Sequence, residues 1–277
     1  MGISLQPFAH RLAAAAGRIA VAILPLSAAL ILITRLVPAP QDHSDPQSLV
    51  MRIAAGVAFS ALTLGLIALL TRAADHEPMS AAGLTPIRSG WRLSLWGAVL
   101  WTVPAAAAFA LLALLGAPVS ATVPAPELLQ IVLLLLLAVL LGEALPEEAV
   151  FRGYLTKALG MVASGWWAII IQAVMFTVFA GIMRQNWNIT DLSLFLTMGI
   201  GFGYLRMLTG SVWLSIGFHT AFQTSSQLVL SHDAVSFAGD TGTAMLALGV
   251  VPFTLAGILV STTRLPRFLS GRERAPL

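Results

Sequence analysis

Long runs of apolar residues alternate with short polar connections along the chain, and proline, glycine, aspartate or arginine bounds each run. A membrane-spanning helix needs about 20 apolar residues. Because lipid offers the backbone no hydrogen-bond partner, such runs should be helical. The pattern therefore predicts an all-α fold, a polytopic integral membrane bundle of about eight transmembrane helices. The predicted spans are 19–34, 53–70, 93–115, 128–145, 166–183, 192–208, 212–230 and 243–260.

Two details refine this pattern. The fourth run passes into a more polar stretch, 147–160, which predicts that the same helix continues past Pro146. The first run follows Arg11 and Arg18 and has no A-x-A cleavage site after it, which favours a retained anchor over a cleaved signal peptide. Without an internal repeat or a low-complexity linker, residues 1–277 are predicted to form a single integral membrane domain.

Composition excludes several classes of protein. Hydrophobic residues make up 58% of the chain and charged residues only 10%, whereas soluble domains carry about 25% charged residues. A soluble globule and a disordered chain are both excluded. The absence of cysteine rules out disulfides and thiolate chemistry. The net charge of +3 is not gathered on a basic face with interleaved aromatic residues, so membrane lipid is the expected partner and nucleic acid is not.

The positions of the basic residues predict an orientation. Arginines lie in the N-terminal segment, in the loop 72–92 and in the tail 264–274, whereas the loops 116–127 and 231–242 contain no lysine or arginine. Cytoplasmic loops are the ones enriched in these residues, so both termini are predicted to lie in the cytoplasm. All but one of the 15 basic residues are arginine, which is typical of a GC-rich bacterial genome. The predicted location is therefore a bacterial plasma membrane.

Charged side chains inside a membrane span are costly and mark candidate functional sites. The stretch G-E-A-L-P-E-E-A-V-F-R-G runs from Gly142 to Gly153. Glu148 and Arg152 are four residues apart and are expected to pair on one helix face. Glu147 points about 100° away and lacks a partner in sequence, as a general base or a metal ligand would. The alternative is that this stretch only marks the cytoplasmic end of the span.

A second candidate lies in the seventh run. His219 is the only histidine inside an apolar span, and Gln223 shares its helix face. An imidazole can bind a metal, donate to an oxyanion or transfer a proton, but it can equally be a packing residue. In the sixth run, Gly199 and Gly203 have the G-x-x-x-G spacing that favours close helix packing.

These residues resemble a known family. E-E-A-V-F-R-G, from Glu147 to Gly153, is similar to the E-E-x-x-x-R motif of the CPBP family of intramembrane metalloproteases. That family includes CAAX prenyl endopeptidases and bacteriocin-processing or self-immunity (Abi) proteins. The stretch from Gly203 to Trp213, followed by His219, resembles the family's G-x-x-x-x-x-T-G-S-x-W…H segment. The similarity covers about residues 125–225, the predicted catalytic core.

The resemblance implies glutamate-dependent hydrolysis of a peptide bond near the cytoplasmic leaflet, in a membrane-associated protein or peptide. By position, Glu147 would activate water, Glu148 and Arg152 would hold the site, and His219 would bind a metal or stabilise the oxyanion. A zinc or other divalent ion would be held by Glu147 and His219. Gln223 would also face the tetrahedral intermediate.

The chain departs from the family pattern at two positions. The motif F-x-x-x-H aligns with Phe176 to Ala180, so its histidine is replaced by alanine, and H-x-x-x-N ends here in Gln223. Three functions therefore stay open. The chain is a divergent endopeptidase, a catalytically inactive relative that serves as a membrane scaffold, immunity or regulatory protein, or a small proton-coupled transporter that uses Glu147 and His219 as a relay.

Overall fold

The structure is a computed structural model that describes residues 8–36 and 46–262. The basic tail 264–274, used above to predict orientation, lies outside these residues. Helices account for most of the described chain, and the predicted polytopic helical bundle is confirmed. The helices are α1 Phe8–Leu36, α2 Pro46–Leu69, α3 Ile87–Leu114, α4 Ala125–Val139, α5 Leu145–Glu148, α6 Thr156–Leu159, α7 Trp166–Arg184, α8 Ile189–Thr209, α9 Trp213–Ser231, α10 Thr241–Met245 and α11 Val251–Thr262.

Seven helices in the described ranges are long and apolar enough to cross a bilayer. They are Phe8–Leu32, Gln47–Ala74, Met79–Leu114, Ala125–Leu159, Trp166–Arg184, Ile189–Thr209 and Thr241–Thr262. The predicted span 212–230 forms helix α9, but α9 is not among the seven. Its residues from Leu214 to Thr220 are all buried. A helix enclosed by other helices does not meet lipid on every side, so it can carry the polar residues that lower its hydropathy.

Helix α9 is held against α3 by close backbone contact. A Cβ on Gly217 would lie 1.7 Å from the carbonyl oxygen of Ser94, and one on Gly97 would lie 2.0 Å from the carbonyl oxygen of Leu214. Only glycine fits at such a crossing. The predicted packing role of Gly199 and Gly203 is also observed, because hypothetical Cβ atoms there would lie 2.7 Å from Ala173 and 2.9 Å from Ile169 on α7.

The fourth span is one continuous helical rod from Ala125 to Leu159, which confirms the predicted extension past Pro146. Two π-helical segments interrupt its α-helical geometry, Leu140–Ala144 and Ala149–Leu155. Proline removes a backbone donor inside a helix, and the Ser60 hydroxyl of α2 donates to the Leu141 carbonyl near this point. The short helix α5, which carries Glu147 and Glu148, lies between the two π-helical segments.

Opposite ends of the bundle are closed by different structures. At one end, strands β1 (Val119–Ala121) and β2 (Val235–Phe237) pair antiparallel, which joins the two loops that lack lysine and arginine. At the other end, Asp75 bonds both Arg18 and Lys157. Loops predicted on the same side thus lie together, whereas the identity of the cytoplasmic side stays a prediction.

Candidate active site

The centre of the candidate site is a buried ion pair that also bonds the histidine of α9. Arg152 Nη1 donates to Glu148 Oε1 over 2.9 Å, and both side chains are fully buried. His219 Nδ1 lies 3.1 Å from the same oxygen. A carboxylate can only accept, so Nδ1 carries the proton and Nε2 is the ring nitrogen left for other contacts. The predicted pairing of Glu148 with Arg152 is confirmed, and His219 joins it.

Aromatic rings enclose this cluster. The Arg152 guanidinium lies 4.2 Å from the centroid of the Phe176 ring and 5.1 Å from that of Phe202. The His219 ring stacks on Phe202 with centroids 5.2 Å apart and planes inclined by 25°. Phe202 therefore contacts both the cation and the imidazole. Rings that exclude water strengthen the electrostatic interactions between the charged groups.

A backbone carbonyl and a rigid loop fix the orientation of these groups. Arg152 Nη2 donates to the Met198 carbonyl of α8 over 3.3 Å. The turn before α9 is tied to the loop before α3, because Val212 N donates to the Gly83 carbonyl over 3.1 Å and Trp213 Nε1 donates to the Thr85 carbonyl over 2.9 Å. The T-G-S-V-W stretch thus sets where α9, and with it His219, begins.

Glu147 differs from its neighbour in both burial and bonding. Its side chain is half-buried, and among the described residues it accepts no hydrogen bond. It lies close enough to His219, Glu143 and Arg152 to interact with them electrostatically. Gln223 is also half-buried and makes no hydrogen bond within the described chain. The structure brings together Glu147, Glu148, Arg152 and His219, and it places Gln223 one helical turn further along α9.

A second polar cluster, formed by Arg52, Glu143 and Gln227, was missed by the sequence reasoning as a unit. Gln227 Nε2 donates to Glu143 Oε1 over 2.9 Å. Arg52 Nη2 donates to Gln227 Oε1 over 2.8 Å and lies 3.3 Å from Glu143 Oε1. Helical spacing gave the available signal, since Gln227 follows Gln223 by four residues and Glu143 precedes Glu147 by four. Polar side chains therefore follow one face of each helix away from the buried cluster.

Helix α7 contributes one expected and one unexpected feature. Ala180, where the family pattern has histidine, is buried and lies one turn after Phe176, the ring against Arg152. One turn before Phe176, Gln172 is fully buried, and neither its Oε1 nor its Nε2 bonds any part of the chain that the structure describes. Sequence reasoning missed this glutamine, although the available signal, a polar side chain inside an apolar run, is the same one that singled out His219.

The donor set does not fit a metal centre. A catalytic zinc site normally has three protein ligands, and within residues 8–36 and 46–262 no three histidine, cysteine, aspartate or glutamate side chains converge in that way. Glu148 Oε1 is already bonded to Arg152 and His219, and its Oε2 is buried without a hydrogen-bond partner among the described residues. The ion predicted at Glu147 and His219 stays a prediction.

Comparison with known families bears on the central part of the chain. Residues 129–225 match the family model described as type II CAAX prenyl endopeptidase Rce1-like. The resemblance seen in the motifs is confirmed over this segment, which contains every candidate site residue named from the sequence. No curated protein matches the chain, and no solved structure matches it either.

Proposed function

We propose that this protein is a CAAX-type intramembrane endopeptidase in which a glutamate-activated water hydrolyses a peptide bond near the cytoplasmic leaflet. One arrangement carries the proposal. A half-buried carboxylate, Glu147, adjoins the buried cluster of Glu148, Arg152 and His219 inside the segment that matches the family model. The substrate would be a membrane-associated protein or peptide. Prenylation of that substrate is not part of the proposal.

Glu147 supplies the general base. Its carboxylate is the one in the cluster that no described residue bonds, so it can accept a proton from water. As the water oxygen bonds the scissile carbonyl carbon, the proton passes to Glu147. Glu147 then returns a proton to the amide nitrogen as the C–N bond breaks, which leaves a new carboxyl and a new amine. Base catalysis of this kind typically contributes about 10²–10⁴-fold to the rate.

The buried cluster positions the imidazole for this reaction. Glu148 accepts from Nδ1 of His219 and so directs Nε2 away from itself, while Arg152 balances the charge of Glu148. In its protonated form, His219 donates through Nε2 to the developing oxyanion, and the Gln223 amide supplies a second donor one turn away. Phe202 holds the ring plane that this geometry needs.

A second candidate function, a catalytically inactive membrane scaffold, immunity or regulatory protein, is favoured by Ala180. A buried methyl group replaces the histidine of the family's second motif. The proton-coupled transporter stays a prediction with no further observation in its favour.

Substitution of Glu147 tests the endopeptidase proposal. Wild-type and Glu147→Gln proteins are produced in the same bacterial host, and new peptide N termini in the membrane fraction are quantified by mass spectrometry. The wild type should generate N termini that fall about 10²–10⁴-fold in the variant. The control is Glu127→Gln, since Glu127 is an exposed glutamate at the start of the same helical rod. Equal cleavage by Glu147→Gln and wild type would refute the role of Glu147.

Restoring the family histidine separates the two candidates. If the wild type already cleaves, Ala180→His should change its rate without creating the activity. If N termini arise only in Ala180→His, the natural chain is the inactive relative. Retention of the folded protein in each case is checked by size-exclusion chromatography in detergent.

A further inference from the structure

A cavity of about 530 Å³ opens at the end of the second membrane span, away from the candidate active site. Ala68 and Met79 form its apolar side, and Arg72, His76 and Glu77 form its polar side. Ligand sites commonly have about 300–1,000 Å³. The cavity thus has the size and the two-sided lining of a site for a small amphipathic group.

Charge around this cavity is unevenly balanced. Asp75 bonds Arg18 Nε over 2.7 Å and Lys157 Nζ over 2.6 Å, and Glu77 lies 2.8 Å from the same lysine nitrogen. Both acids are therefore engaged with other cations. Arg72 is exposed and forms no ion pair with any described residue. Among the described residues that line the cavity, Arg72 is therefore a cation that no carboxylate compensates.

Side chains, rather than the backbone, provide the donors. Two backbone N–H donors at this helix end are already used, since Asp75 N donates to the Leu70 oxygen over 3.2 Å and Glu77 N to the Thr71 oxygen over 2.9 Å. His76 is exposed in the left-handed region with φ 55°. Its imidazole and the Arg72 fork both line the cavity. Together they suit a group with several acceptor oxygens, and Arg matches phosphate oxygens in a bidentate manner.

We propose that this cavity binds the phosphate group of an anionic phospholipid headgroup, through Arg72 and His76. The span that carries Arg72 ends at Ala74, and Leu69 beside the cavity is 62% exposed on the apolar surface of the bundle. A lipid bound here keeps its acyl chains along that surface while its phosphate reaches the arginine. This continuity with the lipid-facing surface favours a headgroup over free inorganic phosphate.

The test measures ligand binding to the full-length protein in detergent by native mass spectrometry. Dihexanoyl phosphatidylglycerol, dihexanoyl phosphatidylcholine and inorganic phosphate are titrated separately. Arg72→Gln should weaken phosphatidylglycerol binding about tenfold, the effect of one lost charge-assisted bond. Arg88→Gln is the matched control, because Arg88 is an exposed arginine on the same side of the bundle that does not line the cavity. His76→Gln should produce a smaller loss than Arg72→Gln.

Each alternative result has a defined meaning. Unchanged binding by Arg72→Gln, or an equal loss in Arg88→Gln, would overturn the site. Equal binding of the two lipids would overturn the anionic headgroup, and binding of inorganic phosphate as tight as that of phosphatidylglycerol would overturn the lipid source. The result does not depend on the proposed protease activity, since none of these variants alters the buried cluster.

Discussion

Two carboxylates in this protein make the same kind of contact in very different surroundings. Glu148 binds Arg152 and His219 in the centre of the bundle, and Asp75 binds Arg18 and Lys157 at its end. The Glu148 and Arg152 side chains are 0% exposed, whereas Asp75 is 9%, Lys157 16% and Arg18 26% exposed. Distances of 2.6–3.1 Å are similar in both clusters. Their energies should therefore differ because of solvent, not geometry.

Because the central cluster is buried, each of its charged side chains depends on the presence of its partner. Removing one partner of a buried pair leaves an uncompensated charge away from water, which costs about 3–5 kcal/mol. At the bundle end the pairs are partly exposed, so water and headgroups can solvate a freed partner. Each pair should therefore contribute closer to the value for exposed pairs, which is about 0–1 kcal/mol. The buried cluster thus serves to specify the position of His219, and the outer cluster only fastens segments together.

The largest effect is expected for Arg152→Met. This change leaves the Glu148 charge in an apolar surrounding, and the free energy of unfolding should fall by about 3–5 kcal/mol. Thermal unfolding in detergent measures the loss. The matched control is Arg184→Met, because Arg184 also lies over a ring, that of Phe195, but is exposed. Its loss should stay below about 1 kcal/mol.

A double variant sharpens this comparison. Adding Glu148→Gln to Arg152→Met removes the stranded charge, so the double variant should be more stable than Arg152→Met alone. The loss in free energy of unfolding is also measured for Glu148→Gln alone. If the loss of the double variant equals the sum of the two single losses, the two side chains do not act as a pair.

A smaller effect is expected for Asp75→Asn. Loss of the carboxylate releases two cations near solvent, and the free energy of unfolding should fall by about 1–2 kcal/mol. Glu77→Gln, at a side chain that is 50% exposed, should change it by less than about 0.5 kcal/mol. A loss from Asp75→Asn as large as that from Arg152→Met would remove the distinction between the two clusters.

The stability difference between wild type and Asp75→Asn should depend on pH. Burial opposes ionisation of Asp75, but hydrogen bonds from Lys157 and Arg18 outweigh it and lower the pKa of this carboxyl from its usual 3.8. A lowered folded-state pKa means that its contribution is fully present above pH 3.8 and is lost as the pH falls through the lower value. Wild type and Asp75→Asn should therefore converge in stability at low pH and diverge toward neutrality.

The sequence could predict those features of the structure that follow from residue spacing within one helix. Glu148 with Arg152 follows from a four-residue interval, and the packing of Gly199 and Gly203 follows from another. The continuation of the fourth helix past Pro146 was also recognisable. His219 was identified because a histidine is unusual in an apolar run, although its contact with Glu148 required the tertiary structure.

Contacts between helices account for what was not predicted. Arg52, Glu143 and Gln227 lie far apart in the chain. Four-residue spacing relates Glu143 to Glu147 and Gln227 to Gln223, but it does not join the three residues to one another. The binding of Asp75 to Arg18 and Lys157 also depends on how three segments meet. Helix α9 was predicted as a lipid-crossing span from its length, but its burial between neighbours allows a polar composition that no single-sequence pattern distinguishes.

Because of the π-helical segment Leu140–Ala144, the direction in which Glu147 and Glu148 point depends on the number of residues in this turn as well as on residue type. A π-turn holds one residue more than an α-turn, and each residue of an α-helix rotates the chain by about 100°. Compared with an uninterrupted α-helix of the same sequence, the extra residue in this turn changes the direction of the following carboxylates by about one such step relative to α4. The extra residue in this turn thereby determines which of the two adjacent glutamates, Glu147 or Glu148, faces the imidazole of His219.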